Sequence, residues 1–421
     1  MHREDGPRKC VWASFPQFTP GHDPAQAAKA FGIGLFLHTR RQNSFVNMLT
    51  GSVPQSASKD KNKGKNQTEK GAPIVMINDL ASQAGDTVEM DLFHNLNGLP
   101  TMGDKKLEGR GEDLSKVTFE LSIDQGRKSV DSGGKMSQKR TKHNLLSTAK
   151  VLLGNYFNDL NDELAMYHLA GARGSFAGDG IIVPTADHED FAEILVNPVM
   201  APTYDRHIYG GDATSIETID AADIMTLDKL DDLALILEEQ ANPIKHISFE
   251  ADQMANESPF YLLFVTPRQW KDLYASATEK KLIELQARAI KRGTGFNHPV
   301  FKGDVLMWRN ILVRQYRKPV RFYAGDVVTV SNNDNAGTTK QVTAQVDIDR
   351  AILLGGQSMA NAYGGSTSGA HFSMITEKTD LQNGRETAII WMNGCKKVRF
   401  ESKSGRMNDY GTMVLDTAVT L

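Results

Sequence analysis

The sequence has very little cysteine: Cys10 and Cys395 are the only two in 421 residues, and they lie near opposite ends of the chain. Two cysteines so far apart in sequence make neither a zinc motif nor a disulfide framework, so a reducing compartment is expected. The sequence also lacks any run of 18 uncharged apolar residues, and no apolar segment follows the first ten residues. We therefore expect a soluble protein without a membrane span or a secretion signal.

An excess of one charge is also missing. The chain has 48 basic and 51 acidic residues, which gives a net charge of −3. A protein whose main task is to hold nucleic acid usually carries a basic domain or stripe, so that class is disfavoured. The hydrophobic content of 40% is enough for a sizeable core, and the length predicts two or three globular units.

Motifs for chemistry are absent from the sequence. The 11 histidines show neither H-x-x-x-H nor H-E-x-x-H spacing, and the acidic stretch 220–232 lacks the order of a calcium loop. The glycine pairs at 355–356 and 364–365 lack the G-x-x-x-x-G-K-[ST] pattern, and there is no G-x-S-x-G elbow. The sequence predicts no catalytic residue, no metal site and no cofactor.

Residues 1–84 resemble an extended arm, because prolines keep interrupting its short apolar pieces. Within it, Ser58–Gly71 contains five lysines and almost nothing apolar. Such a segment cannot bury enough surface to offset its ordering entropy. Two interpretations of Lys59–Lys70 stay open, a spacer or a segment that binds a phosphate backbone.

Residues 85–134 are predicted to form a protruding β-hairpin. Thr87–Phe93 and Val117–Ile123 alternate polar and apolar residues, as half-buried strands do. The tip between them, 97–113, is rich in glycine and charge. We expect the tip to lie on a neighbouring subunit, because it holds too few apolar residues to pack on its own body.

The strongest helix signal runs from Ser137 to Ala170. Apolar residues recur at steps of three and four, including Leu145, Leu152 and Leu160. Ser137 is the predicted N-cap, and Gly171 is the predicted terminating glycine. A helix of this extent would be about 50 Å long, which indicates an elongated subunit.

The remainder is predicted to be mixed helix and strand. The predicted helices are Thr226–Gln240, one that Pro267 opens, and Glu279–Arg292. The predicted strands are Phe260–Val265, Val305–Trp308, Ile311–Gln315, Val327–Val330, Gln341–Val346, Ala388–Met392 and Met413–Val419.

One segment, Gly85–Gly171, resembles the major capsid proteins of N-four-like podophages. The resemblance rests on the order and spacing of several short motifs and on the long helix that follows them. These motifs are Gly85-Asp86-Thr87-Val88, Leu107-Glu108-Gly109, Ile123-Asp124-Gln125 with Arg127, Ser132-Gly133-Gly134, Met136-Ser137-Gln138 and Arg140-Thr141. The stretches Phe264–Pro267 and Arg350–Gly355 fit the same family more loosely.

The resemblance implies an α+β fold of the Hong Kong 97 type and a role as a shell subunit of a tailed, double-stranded DNA phage. The implied divisions are an N-terminal arm (1–84), an extended hairpin loop (85–134), a peripheral domain (135–222) with a spine helix (137–170), an axial domain (223–375) and a return to the peripheral domain (376–421). Copies of the chain would form pentamers and hexamers of an icosahedral capsid. Further expected partners are decoration, scaffold and portal proteins and packaged DNA held by non-specific contact. Assembly would take place in the host cytoplasm, and no membrane is involved.

Seven charged residues are candidate inter-subunit contacts. A basic set, Arg127, Lys128, Lys139 and Arg140, lies around the predicted start of the long helix, where the helix dipole disfavours positive charge. We expect it to meet an acidic set on a neighbouring hairpin tip: Glu108, Glu112 and Asp113. Solvation and contact with DNA remain the alternatives for the basic set. For the whole chain, the alternatives are a decoration or portal component and an α/β enzyme.

Overall fold

The computed structural model describes residues 45–51, 68, 71–77, 86–96, 98–140, 144–178, 180–249, 252, 257–295, 298–332, 337–364 and 372–420. The predicted arm therefore lies mostly outside the described residues, and so does the lysine-rich segment Lys59–Lys70 apart from Thr68. Within the described part, helices and strands are mixed, as the α+β prediction requires.

The helices of the described residues are α1 (Phe45–Leu49), α2 (Lys135–Arg140), α3 (Leu145–Ala170), α4 (Phe191–Leu195), α5 (Leu227–Glu239), α6 (Pro267–Ser276) and α7 (Glu279–Gly295). The strands are β1 (Ile74–Ile77), β2 (Thr87–Phe93), β3 (Lys116–Ser122), β4 (Asp124–Gly134), β5 (His207–Tyr209), β6 (Tyr261–Val265), β7 (Val305–Trp308), β8 (Ile311–Gln315), β9 (Val320–Phe322), β10 (Val327–Ser331), β11 (Thr339–Thr343), β12 (Ile348–Leu354), β13 (Met359–Tyr363), β14 (Phe372–Thr379), β15 (Gly384–Lys397), β16 (Arg399–Glu401), β17 (Met407–Asp409) and β18 (Thr412–Ala418).

The predicted hairpin is confirmed. Strands β2 and β3 pair antiparallel from Thr87 opposite Ser122 to Phe93 opposite Lys116. One more backbone hydrogen bond, from the His94 N–H to the Ser115 carbonyl, extends the ladder toward the tip. The chain then enters β4 after a single residue, so the hairpin continues directly into the body of the subunit.

The long helix ends where predicted but begins later. Gly171 terminates α3 with a left-handed φ of 67°, and its N–H donates to the Tyr167 carbonyl. The N-cap is Asn144, whose side chain accepts from the Ser147 N–H, so the prediction of Ser137 as N-cap is wrong. Ser137 instead lies within the short helix α2. The 26 residues of α3 span about 39 Å rather than 50 Å.

Later predicted helices begin at capping side chains. Thr226 caps α5 by accepting from the Lys229 N–H. Thr266 and Gln269 form a reciprocal capping box at α6, with Pro267 in its first turn. The predicted strands are present, except that Gln341–Val346 is shifted to Thr339–Thr343, because its partner β10 begins opposite Thr343.

Two larger sheets organise the body. In the seven-stranded sheet the order is β5-β18-β12-β6-β8-β7, with β9 also paired to β12. In the five-stranded sheet the order is β1-β13-β15-β14, and β4 also pairs with β15. Strand β15 is 14 residues long, which lets it pair with three different strands along its length.

The core occupies both faces of the seven-stranded sheet. Because successive strand residues point to opposite faces, Ile352 of β12 joins the cluster beneath α3 while Leu353 joins the cluster beneath α5, α6 and α7. The first cluster extends to the five-stranded sheet, where Phe157 of α3 packs on Phe372 and Trp391. The helix α3 is thereby fixed to both sheets.

Candidate assembly interface

The base of the hairpin is anchored in its own small apolar cluster. Val88, Phe119 and Leu121 are buried there with Ala362 of β13 and Val398 of the loop between β15 and β16. Phe119 also makes an edge contact with Phe400, at 5.9 Å between ring centroids. The hairpin therefore leaves the body from a rigid base, which fixes the direction in which its tip projects.

The tip and the residues beside it expose apolar side chains that none of the described residues covers. Each of the following is more than half exposed: Phe93, Leu96, Leu99, Met102, Leu107 and Leu114. Leu99 reaches 95% exposure. Exposed apolar side chains grouped in this way are typical of an interaction surface. These side chains do not pack on the described part of their own subunit, as the sequence predicts, and the contact of the tip with a neighbouring subunit stays a prediction.

One of the predicted acidic contacts is engaged within its own chain. Glu112 accepts a hydrogen bond from the Gly98 N–H at 2.6 Å and forms an ion pair with Lys403 of the loop between β16 and β17. Glu112 thus holds the two sides of the tip together and ties them to the body. Glu108 and Asp113 are exposed on the same tip.

The predicted basic contacts lie on β4 and α2, the two elements that precede α3. Arg127 and Lys128 are exposed on β4, opposite Ile390 and Ile389 of β15. The Lys128 ammonium lies 5.6 Å from the centre of the Tyr156 ring on α3.

Lys139 is exposed in α2, and Arg140 is the last residue of that helix. In the part of the chain that the structure describes, no ion pair joins this basic set to the acidic tip. Arg127, Lys128 and Lys139 of the basic set and Glu108 and Asp113 of the acidic set are thus exposed on one copy.

A second exposed apolar surface lies along the start of the long helix. Val151 and Leu152 of α3 are 42% and 57% exposed, and Met136 of α2 is 60% exposed. Leu152 belongs to the apolar stripe that the sequence predicts to be buried, but the buried positions at this point of α3 are Leu153 and Phe157. The core-facing stripe is rotated by about one residue, which leaves Leu152 outside.

Buried ion pairs hold the sheet beneath α3 in one arrangement. Arg350 of β12 forms a bidentate pair with Asp416 of β18, and His207 also contacts that carboxylate at 2.7 Å. Burial alone would raise the pKa of Asp416, but the charges of Arg350 and His207 outweigh it and hold the pKa well below its ordinary value. Next to this pair along the chain, Asp349 binds Arg321 through two hydrogen bonds.

Among the described residues, the buried cysteine and a buried histidine are not in a form suited to catalysis. Cys395 is buried, and burial raises the pKa of its thiol to about 12, so the thiolate needed for nucleophilic attack is not formed near neutral pH. Burial lowers the pKa of His168 to about 4, and its ring contacts the Leu195 carbonyl. Within the described ranges, no three His, Cys, Asp or Glu side chains come together as a metal site. No helix of those ranges is both long and apolar enough to cross a membrane.

Comparison with known proteins gives concordant results. A family model described as phage capsid protein matches residues 19–421. A major capsid protein of Pseudomonas phage KPP25 is 28% identical over 147 residues, and this match spans about a third of the relative's length (35%) and 35% of the present chain.

Solved structures extend the likeness over most of the chain. The capsid of Ralstonia phage GP4 is 30% identical, with 84% of this chain and 89% of that chain covered and a TM-score of 0.69. The capsid asymmetric unit of cyanophage Pam1 has the same fold at 17% identity, with 87% and 98% covered and a TM-score of 0.56.

Proposed function

The chain belongs to the phage capsid protein family and has the role of a tailed-phage major capsid protein, and we propose that its copies assemble into pentamers and hexamers that close an icosahedral shell around double-stranded DNA. Members of this family are structural shell proteins rather than enzymes, so the protein belongs to the virion. The observation that carries the proposal is the hairpin tip with its flanking residues, where six large apolar side chains are left more than half exposed by the described residues.

We propose that the tip of one copy lies on the start of α3 in its neighbour. That surface offers exposed Met136, Val151 and Leu152 beside the positive charges of Arg127 and Lys128. It therefore complements a tip that presents leucines together with Glu108 and Asp113. Head-to-tail contacts of this kind close into rings when the rotation between copies is suitable.

Within the phage capsid protein family, we further propose that the chain has the Hong Kong 97-type fold and is a member of the N-four-like podophage group. This assignment is supported by the order of hairpin, long helix and mixed sheets along the chain. The divisions 1–84, 85–134, 135–222, 223–375 and 376–421 belong to this proposal. So do non-specific contact with DNA, the decoration, scaffold and portal partners, and assembly in the host cytoplasm.

Electron microscopy of the purified chain tests the proposal. We expect wild-type protein, alone or co-expressed with the neighbouring phage gene products, to form closed shells, tubes or hexameric rings in negative stain. The triple variant Leu99→Ser, Met102→Ser and Leu107→Ser should remain a folded subunit and form none, because it loses the surface that a neighbour covers.

Leu381→Ser serves as the matched control, since Leu381 is fully exposed in the turn between β14 and β15. It should assemble like wild type. Wild-type protein that stays monomeric under every condition would overturn the proposed function. A triple variant that assembles as well as wild type would overturn the role of the hairpin tip alone.

A further inference from the structure

A groove lies between the end of β2 nearest the hairpin tip and the end of α5. Two adjoining cavities, of about 450 Å³ and 510 Å³, share four lining residues: Arg206, Ala241, Asn242 and Asn408. Phe93, Phe400 and Tyr410 form an apolar wall of the 450 Å³ cavity. The groove is open to solvent, and of the six exposed apolar residues described for the hairpin only Phe93 lines it.

Polar atoms in this groove are buried without partners. The Nδ2 and Oδ1 atoms of Asn408, the Nη1 atom of Arg206 and the Oε1 atom of Gln240 have no hydrogen bond among the described residues. Asn408 is only 8% exposed and Arg206 only 3%. Buried polar groups in native proteins are nearly always paired, so four such atoms in one groove indicate that something other than the described residues pairs with them.

Arg206 is held so that its spare donor cannot turn away. Its Nε donates to the Asp409 carbonyl at 3.2 Å, and its Nη2 donates to the Asn242 carbonyl at 2.5 Å. Gln240 is similarly fixed, because its Nε2 donates to the Asp205 carbonyl at 3.0 Å. The same burial lowers the pKa of Arg206 to about 10. The unpartnered atoms therefore form a preorganised set.

The chemistry of this set matches a polypeptide backbone. A side-chain amide with both atoms free can accept from a peptide N–H and donate to a peptide carbonyl, while Nη1 of Arg206 adds a donor and Oε1 of Gln240 adds an acceptor. The charges at the rim are already paired, Arg406 with Asp205 at 3.7 Å and Lys403 with Glu112. Two of the four unpartnered atoms, Oε1 of Gln240 and Oδ1 of Asn408, are acceptors that phosphate oxygens cannot satisfy. The set therefore favours a main chain, which both donates and accepts, over a phosphate-bearing ligand.

We propose that this groove binds the extended main chain of a segment from a second copy of the same protein in the assembled shell. The inference rests on the proposed function, since a shell built of one chain surrounds each copy with other copies. The backbone of the segment forms hydrogen bonds to Asn408, Arg206 and Gln240, and its side chains pack on the aromatic wall. The hairpin-tip contact and this groove are then two separate interfaces.

Asn408→Leu provides the main test, because leucine has nearly the same shape and removes both unpartnered atoms. The isolated subunit should melt at the same or a higher temperature, since burying an unsatisfied amide is unfavourable. The concentration needed for shell assembly should rise about tenfold, as expected for the loss of two hydrogen bonds. Asn361→Leu is the matched control: the Oδ1 atom of this buried asparagine in β13 also lacks a partner, but Asn361 does not line the groove. It should leave the assembly concentration unchanged.

A photo-crosslinking residue at the exposed position Ala241 gives a second readout that does not depend on a destabilising change. Assembled particles should yield crosslinks between two copies of the chain, identified by mass spectrometry, and isolated subunits should yield none. If wild type assembles while Asn408→Leu assembles at the same concentration and Ala241 forms no inter-copy crosslink, the groove holds only water and this inference fails. If crosslinks form only to a different protein, the second copy is the wrong occupant. If wild type forms no particles at all, the proposed function itself fails.

Discussion

Arg350 and Asp416 face each other across the β12–β18 ladder and form two hydrogen bonds of 2.7 Å, with both side chains fully buried. The remaining Nη1 donor of Arg350 binds the carbonyl of Ala170, the last residue of α3, at 3.0 Å. One side chain therefore satisfies a carboxylate in the sheet and an unpaired carbonyl at the helix end. The C-terminus of the long helix is fixed to the sheet at this point.

Arg350→Met should destabilise the subunit by about 3–5 kcal/mol, because it leaves Asp416 buried with one partner fewer. Urea unfolding followed by circular dichroism measures the change. Arg385→Met, at an exposed position of β15, is the control and should cost less than about 1 kcal/mol. Equal losses of stability in the two variants would show that the buried ion pair adds nothing to the free energy of unfolding.

The carboxylate of Asp162 on α3 accepts backbone hydrogen bonds from Phe45 and Val46 at the start of α1, each of 3.0 Å. Burial raises the pKa of Asp162 from 3.8 to about 6, although those two hydrogen bonds oppose the shift. Because the folded state binds this proton more tightly than the unfolded state, the free energy of unfolding should fall as the pH rises from about 4 to about 6. The contribution is of the order of 1–3 kcal/mol.

Asp162→Asn removes the titrating group and keeps an acceptor for one of the two N–H groups. Urea unfolding of wild type and variant at several pH values between 4 and 7 isolates the difference. Two parallel pH profiles would contradict the raised pKa.

Gly171→Ala should destabilise more than Gly180→Ala, although both glycines have a positive φ. A Cβ at Gly171 would lie 2.5 Å from the Met200 carbonyl oxygen, whereas nothing lies within 4 Å of one at Gly180. The backbone conformation alone costs about 1–2 kcal/mol at either site, and the clash adds to it at Gly171 only. Thermal unfolding of both variants gives the comparison; equal melting temperatures would mean that the Met200 loop moves freely.

Charge reversal tests the predicted contacts between copies. Arg127→Glu with Lys128→Glu should weaken shell assembly without changing the subunit's melting temperature, because both side chains are exposed. Adding Glu108→Lys and Asp113→Lys in the same chain should restore assembly, since the two sets would again be complementary. Light scattering at low and high salt follows the effect. If the second pair of substitutions does not restore assembly, the basic set and the acidic set do not contact each other between copies.

Local signals in the sequence were enough for much of the fold. The alternation in Thr87–Phe93 fixes both the strand and the face that it buries, and Thr266-Pro267 marks a helix start through capping chemistry that involves only neighbours. The end of α3 follows from Gly171 for the same reason. The start of α3 was missed because Asn144 caps the helix with its own side chain in the middle of a stretch that otherwise favours helix.

Contacts between distant segments could not be predicted in this way. Arg350 and Asp416 are 66 residues apart, and β1 pairs with β13, whose residues lie 285 positions later in the chain. Nothing local distinguishes these charges and apolar runs from others in the chain. The exposure of the leucines in the tip could not be predicted either, because they are scattered among charges and glycines and form no periodic pattern.

Strand β4 receives the hairpin and is held to β15 along nine register pairs, from Asp124 to Gly134. A pull transmitted along the backbone from β3 into β4 loads these pairs in shear, so they share the tension instead of opening one after another. We therefore expect β4 to stay paired with β15 when the hairpin is under tension, such as the tension that internal pressure produces in a filled shell. Strand β15, which is also paired to β14 and β13, therefore connects the end of the hairpin to the rest of the five-stranded sheet.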